Sequence, residues 1–128
     1  MCGICGLIGK SDPDVVSRMI RAMHHRGPDG QGQYDGARGS IGMARLAIQD
    51  VSAKGDQPMA NDDRDVWIVY NGELYNTPSE RAHLEGKGYR FRSTGDTEVV
   101  LKLYQEYGEA FLPRLRGIFA LAIIDSRG

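Results

Sequence analysis

The 128-residue sequence predicts an α+β domain built on largely antiparallel sheet. Three observations carry this. Apolar, β-branched stretches come in neighbouring groups, and helical periodicity is inserted between the groups instead of after every strand. Glycine is abundant, 17 of 128, about twice its ordinary share, which suits many tight turns and close backbone approaches.

The elements follow in order. Residues 2–9, CGICGLIG, read as an apolar strand. Ser11 or Asp12 is placed to cap a helix with Pro13 near its first position, Val15, Val16, Met19, Ile20 and Met23 at helical spacing, and Gly27 and Pro28 to end it. Residues 31–48 read as a hairpin turning at Asp35-Gly36, its second strand ending near Ile48. A polar loop over 49–58 leads to the clearest strand, DVWIVYNGELY. Asn76 or Thr77 then caps a short helix with Pro78 in its first turn, closed by Gly86 and Gly88. YRFRS, 89–93, reads as a brief strand. The next helix has Asp96 or Thr97 at its cap and Val99, Val100, Leu103 and Tyr104 on one face. Residues 117–128 form a last apolar strand with no partner visible in the sequence, which suggests one domain cut from a longer protein.

Composition removes several functions. Sixteen basic against seventeen acidic residues leave a formal charge of −1, so no basic field exists to hold a nucleic-acid backbone. The longest apolar runs fall far short of the ~20 residues of a membrane helix. No signal-peptide pattern opens the chain, and the expected location is the cytoplasm. Two cysteines three apart do not make a disulfide framework, and His24, His25 and His83 lack finger-like spacing to them, so no metal site is expected. A redox CxxC reading of Cys2 and Cys5 meets a strand where a helix start is needed, and simple packing of both sulfurs is the other alternative.

The chemistry is distributed along the chain. Cys2 has a side chain small enough to suit removal of Met1, after which one residue supplies a thiol and an α-amine. Their reference pKa values, about 8.5 and 7.7–8.0, lie close enough for the amine to serve as general base. Asn71 and Gly72 are either a turn or a side-chain and a backbone N–H for a developing oxyanion. Glu73 is a solvated carboxylate or a partner for an ammonium group. Arg45, in apolar surroundings, is an edge arginine or a bidentate clamp on a carboxylate. Asp96 is a helix cap, or a cap that also lends an oxygen to an ammonium. Together they describe a site for a small zwitterion with a reactive side-chain carbonyl, and glutamine fits.

MCGICG, HHRGPDGQG, GMARLAIQD, QPM, VYNGELYN and the stretch from STGDTEVV to FALAIID resemble, in order and over essentially the whole chain, the class II glutamine amidotransferase domain of glutamine-hydrolysing asparagine synthetases. The resemblance implies a four-layer αββα N-terminal-nucleophile hydrolase sandwich, incomplete at its C-terminal end. It assigns the nucleophile to Cys2 and the oxyanion donors to Asn71 and Gly72. It places glutamine on Arg45, on the backbone of Leu46, Ala47, Ile48 and Gln49, and on Asn71, Gly72, Glu73 and Asp96. It implies no cofactor here, ATP and Mg²⁺ being used by a C-terminal synthetase domain in cis that these residues lack, and it leaves room for a homodimer. The sequence departs from the pattern at RLAIQD, where a serine or a third apolar residue is more usual, and at Cys5, often a small residue. A different carboxylate acceptor for the ammonia, or a silent remnant, are the alternatives.

Overall fold

The computed structural model describes residues 2–45 and 56–127. Its first half is a three-stranded antiparallel sheet, order β1-β3-β2, formed by β1 (Gly3–Ile8), β2 (Gly30–Gly36) and β3 (Gly39–Arg45). All seven residues of the central strand β3 are buried. Ile41 and Met43 face the second sheet, while Ser40 and Gly42 face helix α1 (Pro13–Ala22). Asp12 is the cap: its carboxylate accepts the Val15 N–H at 3.2 Å. Ser11, the other candidate, is engaged with the Ser40 hydroxyl at 2.9 Å, which docks the helix start on the sheet. The helix tightens into a 3-10 turn, His24–Arg26, before the motif RGPDG.

The hairpin turn is displaced from its expected place. Pairing runs on through Gly36 and Gly39, so Asp35 and Gly36 lie in β2 and the connection is Ala37-Arg38. Packing dictates the register. Tyr34, opposite Ile41, stacks on Trp67 of the second sheet with centroids 4.3 Å apart, and a one-residue slip would turn both away from that layer.

The second sheet, order β4-β5-β6, is β4 (Met59–Ala60), β5 (Val66–Leu74) and β6 (Gly117–Asp125). The last strand does have a partner, contrary to expectation, since β6 pairs with β5 over all nine residues. Ile68, Tyr70 and Leu74 of β5 bury against α2 (Thr77–Gly86) and α3 (Asp96–Tyr107), through Leu84, Val99, Val100 and Leu103. Each fully buried aliphatic side chain of this kind contributes ~1.5–3 kcal/mol. Val69 and Trp67, of opposite parity, join Ile41 and Met43 between the sheets. The layers are therefore helix, sheet, sheet, helix, the expected αββα sandwich.

Residues 89–93 are not a strand. They form a loop whose Arg92 and Ser93 N–H groups donate to the Glu98 carboxylate at 3.0 and 2.7 Å, so their hydrogen bonds go to a side chain and not to a sheet. Neither Asp96 nor Thr97 caps α3 either: Gly95 takes that position and Asp96 is the first helical residue. Among the described residues no helix is long and apolar enough to cross a membrane.

Candidate active site

Strand register places Cys2, the candidate nucleophile. Gly3 pairs with Ala44 and Ile4 with Met43, so Cys2, one step beyond, lies across from Arg45 at the end of the sheet. Parity fixes the faces. Cys2, half-buried, packs with Ile4 and Met43 in the layer between the sheets. Cys5 has the opposite parity, and its Sγ lies 3.8 Å from the Gly42 carbonyl oxygen. Burial pushes the Cys5 thiol above its ordinary pKa, keeping it protonated at neutral pH. Both cysteines are unbridged, and Cys2, just before β1, and Cys5, within it, lie on opposite faces of the sheet, which does not suit a dithiol or a shared metal.

The HRGPDG motif closes this end of the sheet. Arg26 Nε–H donates to the Cys2 carbonyl at 3.5 Å, and the Asp29 N–H donates to the Arg45 carbonyl at 2.9 Å. Pro28 forms a parallel bridge to Arg45. Gly27 is required for the approach, because a Cβ there would overlap the Ala44 carbonyl. In the sequence this motif reads as a helix stop and as one of the stretches that carry the family resemblance; its contacts at the end of the sheet come from the fold.

Arg45 is not an edge residue facing water. It ends a central strand, its side chain is only 10% exposed, and its guanidinium pairs with the Asp56 carboxylate. The candidate positions Leu46, Ala47, Ile48 and Gln49 lie outside the described residues.

Asn71 and Gly72 are inside β5 and form no turn. One edge of β5 is covered by β6; the other is covered by β4 only around Trp67 and Ile68. Beyond β4 that edge is met by side chains. The Tyr70 N–H donates to Gln57 Oε1 at 2.6 Å, and the Leu74 N–H donates to the Asp96 carboxylate at 2.7 Å. Alternate residues of a strand point their N–H groups to the same edge, so the Gly72 N–H emerges between these two fixed points, on exposed backbone. Asn71 shares the parity of Trp67 and Val69. Trp67 stacks on Tyr34 and Val69 clusters with Ile41 and Met43 in the inter-sheet layer, and Asn71 is the next residue of that parity along β5.

Asp96 is buried, its carboxylate accepting the Thr77 hydroxyl at 2.8 Å as well as the Leu74 N–H. Glu73 is exposed. Burial first, then the negative charge of Asp96 and of Glu73, pushes the Tyr70 phenol far above its ordinary pKa, so both carboxylates act on the same region. A separate cavity of about 350 Å³ is lined by Asp56, Asp62, Arg64, Arg92, Glu98 and Lys102 among others. Its charges balance, and it contains none of Cys2, Asn71, Gly72 or Glu73.

The αββα sandwich thus carries a thiol at the mouth of its inter-sheet layer, an arginine paired with Asp56 at the same end and exposed backbone at Gly72. The chain matches the glutamine amidotransferase domain over residues 1–128 and belongs to that family. It is 39% identical over 132 residues to asparagine synthetase [glutamine-hydrolyzing] 1 of Arabidopsis thaliana, an alignment covering 99% of this chain and 22% of that protein. The corresponding protein of Bacillus subtilis (strain 168) is 38% identical over 130 residues, covering 96% of this chain and 20% of that one. The chain thus spans about a fifth of the length of these curated relatives. Among solved structures, glutamine phosphoribosylpyrophosphate amidotransferase from B. subtilis, complexed with ADP and GMP, superposes with a TM-score of 0.81. The match covers 98% of this chain and 35% of that one at 20% identity, a likeness of fold.

Proposed function

We propose that the chain hydrolyses glutamine to glutamate and ammonia. In this reading Arg45 holds the substrate α-carboxylate, and Glu73 and Asp96 hold its α-ammonium. The Cys2 thiolate attacks the side-chain amide carbon, and the oxyanion that forms is held by the Asn71 side-chain N–H and the Gly72 backbone N–H. The Cys2 α-amine, exposed by removal of Met1, takes the thiol proton and returns it to the departing nitrogen. Ammonia leaves, a γ-glutamyl thioester remains, and water cleaves it to glutamate and free thiol. The ammonia would amidate aspartate in a synthetase domain in cis, as the names of the relatives suggest; ATP and Mg²⁺ belong to that step, and no residue of this chain is assigned to them.

The observation that carries the reading is the register that sets Cys2 across from Arg45 on one face. Glutamate release tests it. Cys2→Ala is expected to abolish turnover, while Cys5→Ala, which alters the opposite face, retains it. The reverse pattern would overturn the assignment. Intact-mass measurement should show Met1 absent from every active preparation. Asn71→Ala is expected to lower kcat by about 10²–10³, the usual cost of an oxyanion donor, with little change in KM.

A further inference from the structure

The stretch DQPM and the second glycine of DGQG are left without a role by the chemistry above, yet they meet in space. Gln57 Oε1 accepts the Tyr70 N–H at 2.6 Å, and Gln57 Nε2 donates to the Thr97 hydroxyl at 2.9 Å. The Gln57 backbone presses so closely on β2 that a Cβ on Gly32 would overlap the Gln57 carbonyl. Asp56, its neighbour, pairs with Arg45. Two consecutive residues therefore touch β2, β3, β5 and α3. Three of these four contacts fall on a group of the site or on its immediate neighbour: Arg45 itself, Tyr70 before Asn71, Thr97 after Asp96.

We propose that Gln57 is a positioning residue for the oxyanion-binding edge of β5. This rests on the glutamine-hydrolysis reading and deepens it. The N–H groups on that edge recur every second residue, roughly 7 Å apart. Where β4 ends, the next of them, at Tyr70, would be an unsatisfied donor competing with Gly72 for the oxyanion. Gln57 satisfies it with a side chain where a strand would continue the ladder. Pairing stops one donor short of Gly72, and the strand is held against α3 at Thr97. Asp96 fixes the next donor along, at Leu74. Gly72 is thus bracketed, and an oxyanion donor must sit within ~0.5 Å of its working position to act. The residue must accept from a backbone N–H and donate to a hydroxyl at once, and a carboxamide of this length does both.

The test uses the protein as it is isolated, including whatever follows this chain. Gln57→Met keeps length and volume and loses both bonds; Gln57→Glu keeps an acceptor for Tyr70. The readouts are kcat and KM for glutamate release, the rate of Cys2 alkylation by iodoacetamide, and the thermal midpoint. Gln57→Met is expected to lower kcat about 10- to 50-fold, less than deletion of a donor, with KM within about threefold and alkylation unchanged. Gln57→Glu should recover kcat to within about fivefold of the parent. Should Gln57→Met not fold, Thr97→Val removes the second anchor and is expected to lower kcat about threefold at constant KM.

A kcat unchanged in Gln57→Met, or unchanged in Thr97→Val, overturns the proposal while leaving glutamine hydrolysis intact. So does a joint fall of kcat, alkylation and thermal midpoint with no recovery in Gln57→Glu, which marks a scaffold residue only. A parent protein whose glutamate release does not depend on Cys2 overturns the hydrolysis reading, and the Gln57 proposal with it.

Discussion

Before any substrate arrives, one oxygen of the Asp96 carboxylate already accepts the Leu74 N–H and the other the Thr77 hydroxyl. A carboxylate oxygen can accept more than one hydrogen bond, the property the proposed contact with an ammonium group would use. Asp96→Asn keeps an acceptor for Leu74 and discards the charge. The expected result is a KM for glutamine raised about tenfold or more, with kcat much less affected, since a hydrogen bond to a charged group contributes ~1.5–3 kcal/mol. Equal KM values would remove Asp96 from the binding site. The residue type and the helix start were legible in the sequence; the true contacts were not. They lie 19 and 22 positions away, and only the fold of β5 onto α3 makes them. Gln57 was invisible as an actor for the same reason, because its partners are a backbone amide and a hydroxyl that no spacing rule connects.

Helix α3 carries a buried pair one turn apart, Glu98 and Lys102, 3.6 Å between charged atoms. Glu98 also receives the Arg92 and Ser93 N–H groups and the Ser93 hydroxyl, so it closes the loop that precedes its own helix. Glu98→Ala should lower stability by about 3 kcal/mol, because it strands a buried ammonium and frees two backbone donors. Lys102→Met should cost less, because the buried Glu98 carboxylate it leaves behind still accepts two backbone N–H groups and the Ser93 hydroxyl. Chemical denaturation of the two variants decides it, and equal losses would contradict the ranking. Elements with strong local signals were legible: β1, β5, β6, α1 and α3 follow their apolar spacing, and α2 its start and stop residues. The misreadings were local signals outvoted by tertiary contacts. An Asp-Gly pair suggested a turn until the Tyr34–Trp67 stack set the register, and alternating YRFRS suggested a strand until Glu98 took its amides. The two-residue β4 is too short to leave a pattern.

For the molecule as a whole, the sandwich is tied across its layers near the end of β6. Arg38 of the first hairpin donates to the Asp125 carbonyl at 2.9 Å, and Tyr104 of α3 donates to the Asp125 carboxylate at 2.8 Å. The Arg127 side chain is the main reason that carboxyl is held well below the ordinary range, burial acting against it. Folding is therefore favoured by this group at pH above its unfolded value of ~3.9, and that contribution is lost as pH falls below it. Denaturation midpoints followed from pH 7 to pH 2.5 should drop on acidification, and less steeply in Asp125→Asn; parallel curves would place the acid sensitivity elsewhere. The first sheet has a further consequence, because Cys2 and Cys5, three residues apart, stand on either side of it. Both thiols are half-buried, and a thiol reagent approaches one from the mouth of the sandwich and the other from the opposite face of the sheet. Labelling followed residue by residue therefore reports on two faces at once, and a ligand seated at the mouth should slow the Cys2 reaction while leaving that of Cys5 unchanged.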